Sequence, residues 1–356
     1  RFLDVHEWGV FIRPYLEQTY REFSPEAFVN DCVWLGEEPT LLINARWLPT
    51  PDAIEQLSSV ENNVAGFCGD TLAFLLVEPF ESSLITDTEW AEPLLKIAGT
   101  RGEVQAAGKV ASHPWNLIDF NSDQLKADFR SCAFSGGQTE FSPQIAVLGD
   151  PQNVFVSPSA DIDPFVVIDA RSGPVSIDAG AKVQAYTRIE GPCHIGFGSQ
   201  LFRANVKAGT TIGPVCRVGG EIENSILHGY ANKYHDGFLG HGYVCPWVNM
   251  GALSTNSDLK NDYSTVRVPL SGEAIDSGST KVGCFIGDHS KTAVCSLFNT
   301  GTSIGVMTML LPGGELLPKF VPSFGRVWHG SLDDNLNLEA ALDTARTAMD
   351  RRGQNL

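Results

Sequence analysis

The chain has few positive charges, no long apolar run and no closely paired cysteines, and each lack removes a class of protein. Twenty-five Lys and Arg stand against 42 Asp and Glu in 356 residues, a formal charge of −17. A nucleic-acid binder would carry a basic face, so nucleic acid is not an expected partner. No stretch of eighteen apolar residues occurs, so no membrane helix and no membrane partner are expected. The opening Arg1–Phe2–Leu3–Asp4–Val5–His6 has no apolar core of the signal-peptide kind. The eight cysteines (Cys32, Cys68, Cys132, Cys193, Cys216, Cys245, Cys284 and Cys295) form no Cys-x-x-Cys pair. A chain of this length needs no disulfide staples, so they read as buried free thiols in a reducing cytoplasm, with no local metal site.

What is present changes character along the chain. Residues 1–150 mix helix and strand signals and read as an α/β unit. Residues 40–45 and 72–77 have the look of buried strands. Thr50-Pro51-Asp52 supplies an N-cap followed by proline at the first helical position, which predicts a helix over 51–58. Asn121-Ser122-Asp123-Gln124 predicts another helix start, with Leu125 and Phe129 on one face.

From 151 to 330 the texture is rich in Gly, Val, Ile, Thr and Ser. Ile177, Val183, Ile189, Ile195 and Leu201 recur every six residues. So do Val206, Ile212 and Val218; Val156, Ile162 and Ile168; and Ile286, Thr292, Phe298 and Ile304. Six matches neither the period of a lone strand nor that of a helix. It fits one flat side of a coil, a short strand and then a turn, with the apolar residue pointing inward and small residues at the corners. Such coils bury their apolar sides only by stacking. The fold class is therefore an α/β N-terminal domain followed by a left-handed parallel β-helix, with a β-sandwich as the alternative. The repeats are expected to break between about 222 and 285. Ser331-Leu332-Asp333-Asp334 predicts the start of a C-terminal helix over 331–356, with Leu338, Leu342, Ala345 and Met349 on its apolar face. In so acidic a chain, Arg203, Lys207, Arg217 and Lys233 cluster in sequence and are candidates to gather phosphates.

One block is more specific. His235-Asp236-Gly237-Phe238-Leu239-Gly240 is followed by Val248-Asn249-Met250-Gly251-Ala252, with Asn249 fourteen residues after His235. This resembles the acetyltransferase half of the bifunctional glucosamine-1-phosphate acetyltransferase/N-acetylglucosamine-1-phosphate uridylyltransferases. Ile212–Glu221, His228-Gly229-Tyr230, Asn256–Tyr263, Phe285–Ser290 and Pro318–Phe324 resemble a bacterial branch of sugar nucleotidyltransferases with a fused β-helix. Weaker matches run back to Asn44–Pro49.

The resemblance implies an acyl-CoA-dependent N-acyltransferase acting on an amino sugar or amino-sugar phosphate. It implies acetyl-CoA as donor and a homotrimer with sites between subunits. His235 would be the general base, which suits imidazole because its ordinary pKa lies near working pH. Glu221 would support it, and Asn249 with the Gly251 and Ala252 backbone would lie at the thioester. Lys291, Lys319 and Arg326 would hold CoA phosphates; Arg203, Lys233, Asn261 and Tyr263 would bind the acceptor. Duller readings stand beside these: a structural His235, an asparagine ladder at Asn249, a surface carboxylate at Glu221. The pattern also departs from the family, with Leu253 where it has glycine and Glu223 where it has lysine; the second weakens the case for a phosphorylated acceptor.

In the first domain no glycine-rich loop ending in Thr-Arg opens the chain, which is expected to begin inside the family's first domain. Mg2+ would be needed only if that half transfers nucleotides, with Asp70 and Asp119 as conceivable ligands. Two alternatives follow: a sugar-1-phosphate nucleotidyltransferase whose β-helix serves trimerisation, and a non-catalytic scaffold for sugar nucleotides or CoA.

Overall fold

The computed structural model describes residues 5–354 except 62, 87–89, 133–135, 139–140, 271 and 334–335. Of the expectations above, Arg1–Asp4 and Asp334 fall outside the described residues. The chain forms two compact units, Arg1–Ser112 and His113–Leu356, so the units part before the change of texture near 150.

In the first unit a four-stranded sheet runs in the order Thr40–Ile43, Thr71–Val77, Val64–Cys68, Gly102–Gln105. The last two strands are parallel and the other pairings antiparallel. Leu75, Val77 and Ala65 of the sheet pack against Leu35, Ile97 and Ala98 of flanking helices, as an α/β layer requires. The helix expected over 51–58 is Pro51–Leu57, where the Thr50 hydroxyl accepts from the Ala53 N–H.

The second unit is a left-handed parallel β-helix. On one side, nine strands pair in parallel, and one residue from each points inward: Val156, Ile177, Ile195, Ile212, Leu227, Val244, Ile286, Ile304 and Val321. None is more than 4% exposed. Burying each such side chain contributes about 1.5–3 kcal/mol, and only stacking achieves it. Members of a six-residue run take successive sides of a coil, and every third member returns to the same interior column, as Ile177 and Ile195 do.

Three sequence expectations are corrected here. The coils do not break at 222. Strands at Ile226–Leu227, Asn232–Lys233, Phe238–Gly240 and Tyr243–Val244 continue them, and the next strand is Thr255–Asn256. The insertion follows that strand and holds an antiparallel hairpin, Arg267–Leu270 with Glu273–Asp276. The period fades earlier because polar residues take the interior: Lys233, Ser254 and Asn256 are each at most 2% exposed.

The helix expected from Asn121 begins at Pro114, with the His113 N–H donating to Asn116 Oδ1 at 2.9 Å. Asn121 instead donates to the Gly209 carbonyl, and Thr211 donates to its Oδ1. Trp115 and Ile118 pack with Val266, Val268, Val282 and Phe285, which places this helix with the second unit.

The terminal helix is Leu338–Asp350, capped by Asn337 rather than opened by Ser331. Ser331–Asp333 is a strand paired with Arg326–Trp328, and Asp333 is held by Arg326.

Candidate active site

Each coil turns at three corners. His235 lies at the corner between the strands Asn232–Lys233 and Phe238–Gly240. It is held there from inside. Register runs Val218–Lys233, so Lys233 occupies an interior position and is 2% exposed. Its ammonium donates to the Gly219 carbonyl at 3.0 Å and to the His235 carbonyl at 2.6 Å. Burial, opposed only by the charge of Asp236, brings the amine down to about 8. Gly219 makes the corner tight, since a Cβ there would meet the Tyr234 carbonyl at 2.0 Å. Phe202 and Tyr234 meet edge to face at 3.9 Å, and the Tyr234 ring in turn meets His235 at 4.7 Å.

The His235 imidazole is exposed and has no hydrogen bond among the described residues. The next coil turns directly beside it: the Leu253 N–H donates to the Asp236 carbonyl at 3.0 Å. At that turn the Ala252 N–H is uncommitted among the described residues. Exposed Leu253 and, one coil on, exposed Val294 and Cys295 continue the corner, the Cys295 N–H donating to the Ala252 carbonyl. An unengaged imidazole, a backbone donor and an apolar strip therefore share one edge of the helix.

Several expected site residues are placed otherwise. Glu221 does not meet His235. It pairs in register with Phe238 on the next side of the coil and forms an ion pair with Lys207 at 3.3 Å. Asn249 stacks in a polar ladder, accepting from the Asn232 amide at 2.6 Å. The Gly251 N–H is used by Thr292, which leaves Ala252 as the donor at that turn. Lys233 is enclosed and offers nothing to an acceptor outside. Lys291 turns back to the Trp247 carbonyl at 2.6 Å, and burial brings it down to about 8. Arg326 is paired with Asp333 and lies over Trp328. The Lys319 amine, lowered by burial and by neighbouring Lys260, has no hydrogen bond or ion pair among the described residues. Arg203 is exposed at a corner, and Asn261 and Tyr263 are exposed in the insertion. Asp70 lies at an exposed turn of the first unit and Asp119 on a helix of the second. Among the described residues no group of three or more His, Cys, Asp or Glu is arranged to hold a metal.

Sequence reasoning missed one pair. His241 Nδ1 and Asp258 Oδ2 lie 2.7 Å apart, both largely shielded. Asp258 reaches over Gly240, where a Cβ would meet its Oδ2 at 2.6 Å. Burial raises the Asp258 carboxyl, but the hydrogen bond and charge of His241, with Lys281, outweigh it and hold the group below its usual value. Asp119 also faces this pair, its carboxyl raised by loss of water against a hydrogen bond from Asn116 and the charge of His241. The two partners are seventeen residues apart, one full coil, and no local motif marks them. A depressed carboxyl adds stability above its unfolded value near 3.9 that is lost as pH falls through the folded value. Asp258→Asn is expected to cost about 1.5–3 kcal/mol at pH 7. In urea denaturation the gap to the unmodified protein should close toward pH 3; a gap independent of pH would show that the carboxylate's charge is not what matters.

Comparison with known proteins bears on both units. Residues 1–135 match the sugar nucleotidyl transferase family model. A bifunctional sugar-1-phosphate nucleotidylyltransferase/acetyltransferase of Sulfurisphaera tokodaii is 30% identical over 93 residues, 26% of this chain and 23% of that protein. The uncharacterized acetyltransferase YaiX of Escherichia coli is 28% identical over 156 residues, 43% of this chain and 63% of that protein. The chain thus spans less than two thirds of either relative. A UDP-N-acetylglucosamine acyltransferase of Arabidopsis superposes with a TM-score of 0.27 at 16% identity, covering 60% of this chain and 80% of that one. No helix among the described residues is long and apolar enough to cross a membrane.

Proposed function

We propose that the second unit transfers an acyl group, acetyl in the simplest case, from acyl-CoA to the amine of an amino sugar or amino-sugar phosphate. His235 is the general base. The nitrogen attacks the thioester carbonyl, the new N–C bond forms as C–S breaks, and the proton lost by the amine passes through the imidazole to the leaving thiolate. The observation that carries this reading is the His235 edge. An exposed imidazole with no hydrogen bond among the described residues stands beside the Ala252 N–H, likewise uncommitted among them and a donor suited to the developing oxyanion. The apolar strip of Leu253 and Val294 suits the acyl and thioester arm of the donor. Among the described residues no carboxylate is hydrogen-bonded to His235, which fits a site completed by a second subunit in a homotrimer.

The test is release of free thiol from acetyl-CoA in the presence of glucosamine, glucosamine 1-phosphate and nucleotide-linked amino sugars. Turnover with any of them, abolished by His235→Ala, supports the reading. Binding of CoA without turnover across the series would favour a non-catalytic scaffold instead.

The match of residues 1–135 to sugar nucleotidyl transferases favours a second activity for the first unit. Pyrophosphate release from a nucleoside triphosphate and a sugar 1-phosphate, dependent on Mg2+, would establish it.

A further inference from the structure

The corner that carries Tyr230 holds a feature unrelated to His235. In a chain of net charge −17, Arg21, Arg101, Arg171, Arg188, Arg326 and Arg346 each sit on a carboxylate, while Arg217 and Arg352 are two of the eight other described arginines. Neither forms an ion pair among the described residues, yet the two lie together. Arg352, just beyond the terminal helix, donates to the Val215 carbonyl at 3.1 Å, two residues before Arg217. Loss of water and then the like charge of Arg217 lower the basicity of Arg352, and Arg351 adds to the same field.

The polar groups around them are also unfinished. Arg217 Nε is buried with no hydrogen-bond partner among the described residues, and so is Oδ1 of Asn232, its register neighbour on the next coil. At the edge of this ladder, Tyr230 and Trp247 stack at 4.2 Å with planes 9° apart, and His289 continues the stack from Trp247 at 5.8 Å. Tyr230, Trp247 and His289 all take positive φ at the turn, which sets successive rings one above another.

Two guanidiniums without a carboxylate, one with a buried N–H still to be satisfied, are a site short of an anion. Their planar forks match phosphate oxygens, and a flat ring beside the anion would find an aromatic ridge. We propose that this corner binds a nucleotide, its phosphates held by Arg217 and Arg352 and its base or ribose against the Tyr230–Trp247 ridge. The site lies on a different corner from His235 and stands independently of the acyl-transfer reading.

Isothermal titration of the full chain with UDP, inorganic pyrophosphate and uridine tests it. UDP and pyrophosphate should bind, more weakly as salt rises, and uridine should not. Arg217→Gln and Arg352→Gln should each weaken both phosphate ligands by about tenfold or more. Tyr230→Asn, a residue that tolerates the positive φ, should weaken UDP while leaving pyrophosphate unchanged. Melting curves of the variants check that the fold is retained, and Lys207→Gln, which removes a cation on another side of the coil, serves as a control for loss of charge. The proposal is overturned if the double arginine variant binds UDP as the unmodified chain does, because the nucleotide then sits elsewhere. It is equally overturned if the variants change only the number of subunits, because the guanidiniums then pair with a second copy.

Discussion

Replacing His235 by Ala is expected to lower kcat for acyl transfer by about 10²–10⁴-fold, the usual contribution of a positioned general base. The KM for acyl-CoA should stay close to its starting value, since the imidazole acts on the amine proton and does not hold the donor. Stability should change by no more than ~0.5 kcal/mol, because the side chain is exposed and has no hydrogen bond among the described residues. That separation makes the variant informative: a fall in rate cannot be blamed on unfolding. Thiol release under saturating donor and amine, with a parallel thermal melt, measures both. A variant that keeps most of its turnover removes His235 from the mechanism. The shielded His241–Asp258 pair would then become the group to substitute.

Lys233→Ala is expected to produce the largest loss of stability, about 3–5 kcal/mol. Two buried carbonyls, those of Gly219 and His235, would lose their donor at about 1–3 kcal/mol each, and the space left inside the coil adds to that. Lys233→Met should lose less, since it keeps the volume and removes a charge that is costly to bury. Turnover should fall with Lys233→Ala even where the protein stays folded, because the lysine ties down the His235 main chain. The lysine also gives stability a pH dependence of definite sign. Its amine is brought to about 8 in the folded chain, against an ordinary value near 10.4 when unfolded. Between those values the unfolded chain holds a proton that the folded chain has released, so stability from this group rises with pH. Below pH 8 both states are protonated, and the full cost of the buried charge is present. Lys291, also brought to about 8, contributes with the same sign. Urea denaturation at pH 7.5 and 9.5 should therefore show a smaller alkaline gain in Lys233→Met than in the unmodified protein. An equal gain would mean the amine is not titrating where its burial implies.

The site was less legible than the scaffold, and particular residues show why. His235 could be singled out because a motif surrounds it. The resemblance implies that Glu221 supports it, but fourteen residues along a coil do not bring the two side chains together. Register carries Glu221 to Phe238 on another side. Lys291 and Arg326 look like free cations in a string of letters, yet one is spent on the Trp247 carbonyl and the other on Asp333. Lys233 reads in sequence as a candidate to bind the acceptor and gather phosphates, whereas the pairing of Asn232–Lys233 with Arg217–Val218 turns it inward.

From the residues alone came the architecture of the second unit, because aliphatic side chains every six places can be buried together only if each side of a coil stacks on the one before. The same letters also supplied the helix cap at Thr50 and the histidine with its neighbouring turn. Tertiary structure decided what each polar side chain faces. Inside and outside alternate along a strand one residue apart, so a single step of register exchanges a solvent-facing lysine for a buried one. Partners such as His241 with Asp258, or Arg217 with Arg352, are adjacent only after coils stack and the terminal segment folds back, contacts to which no local period points.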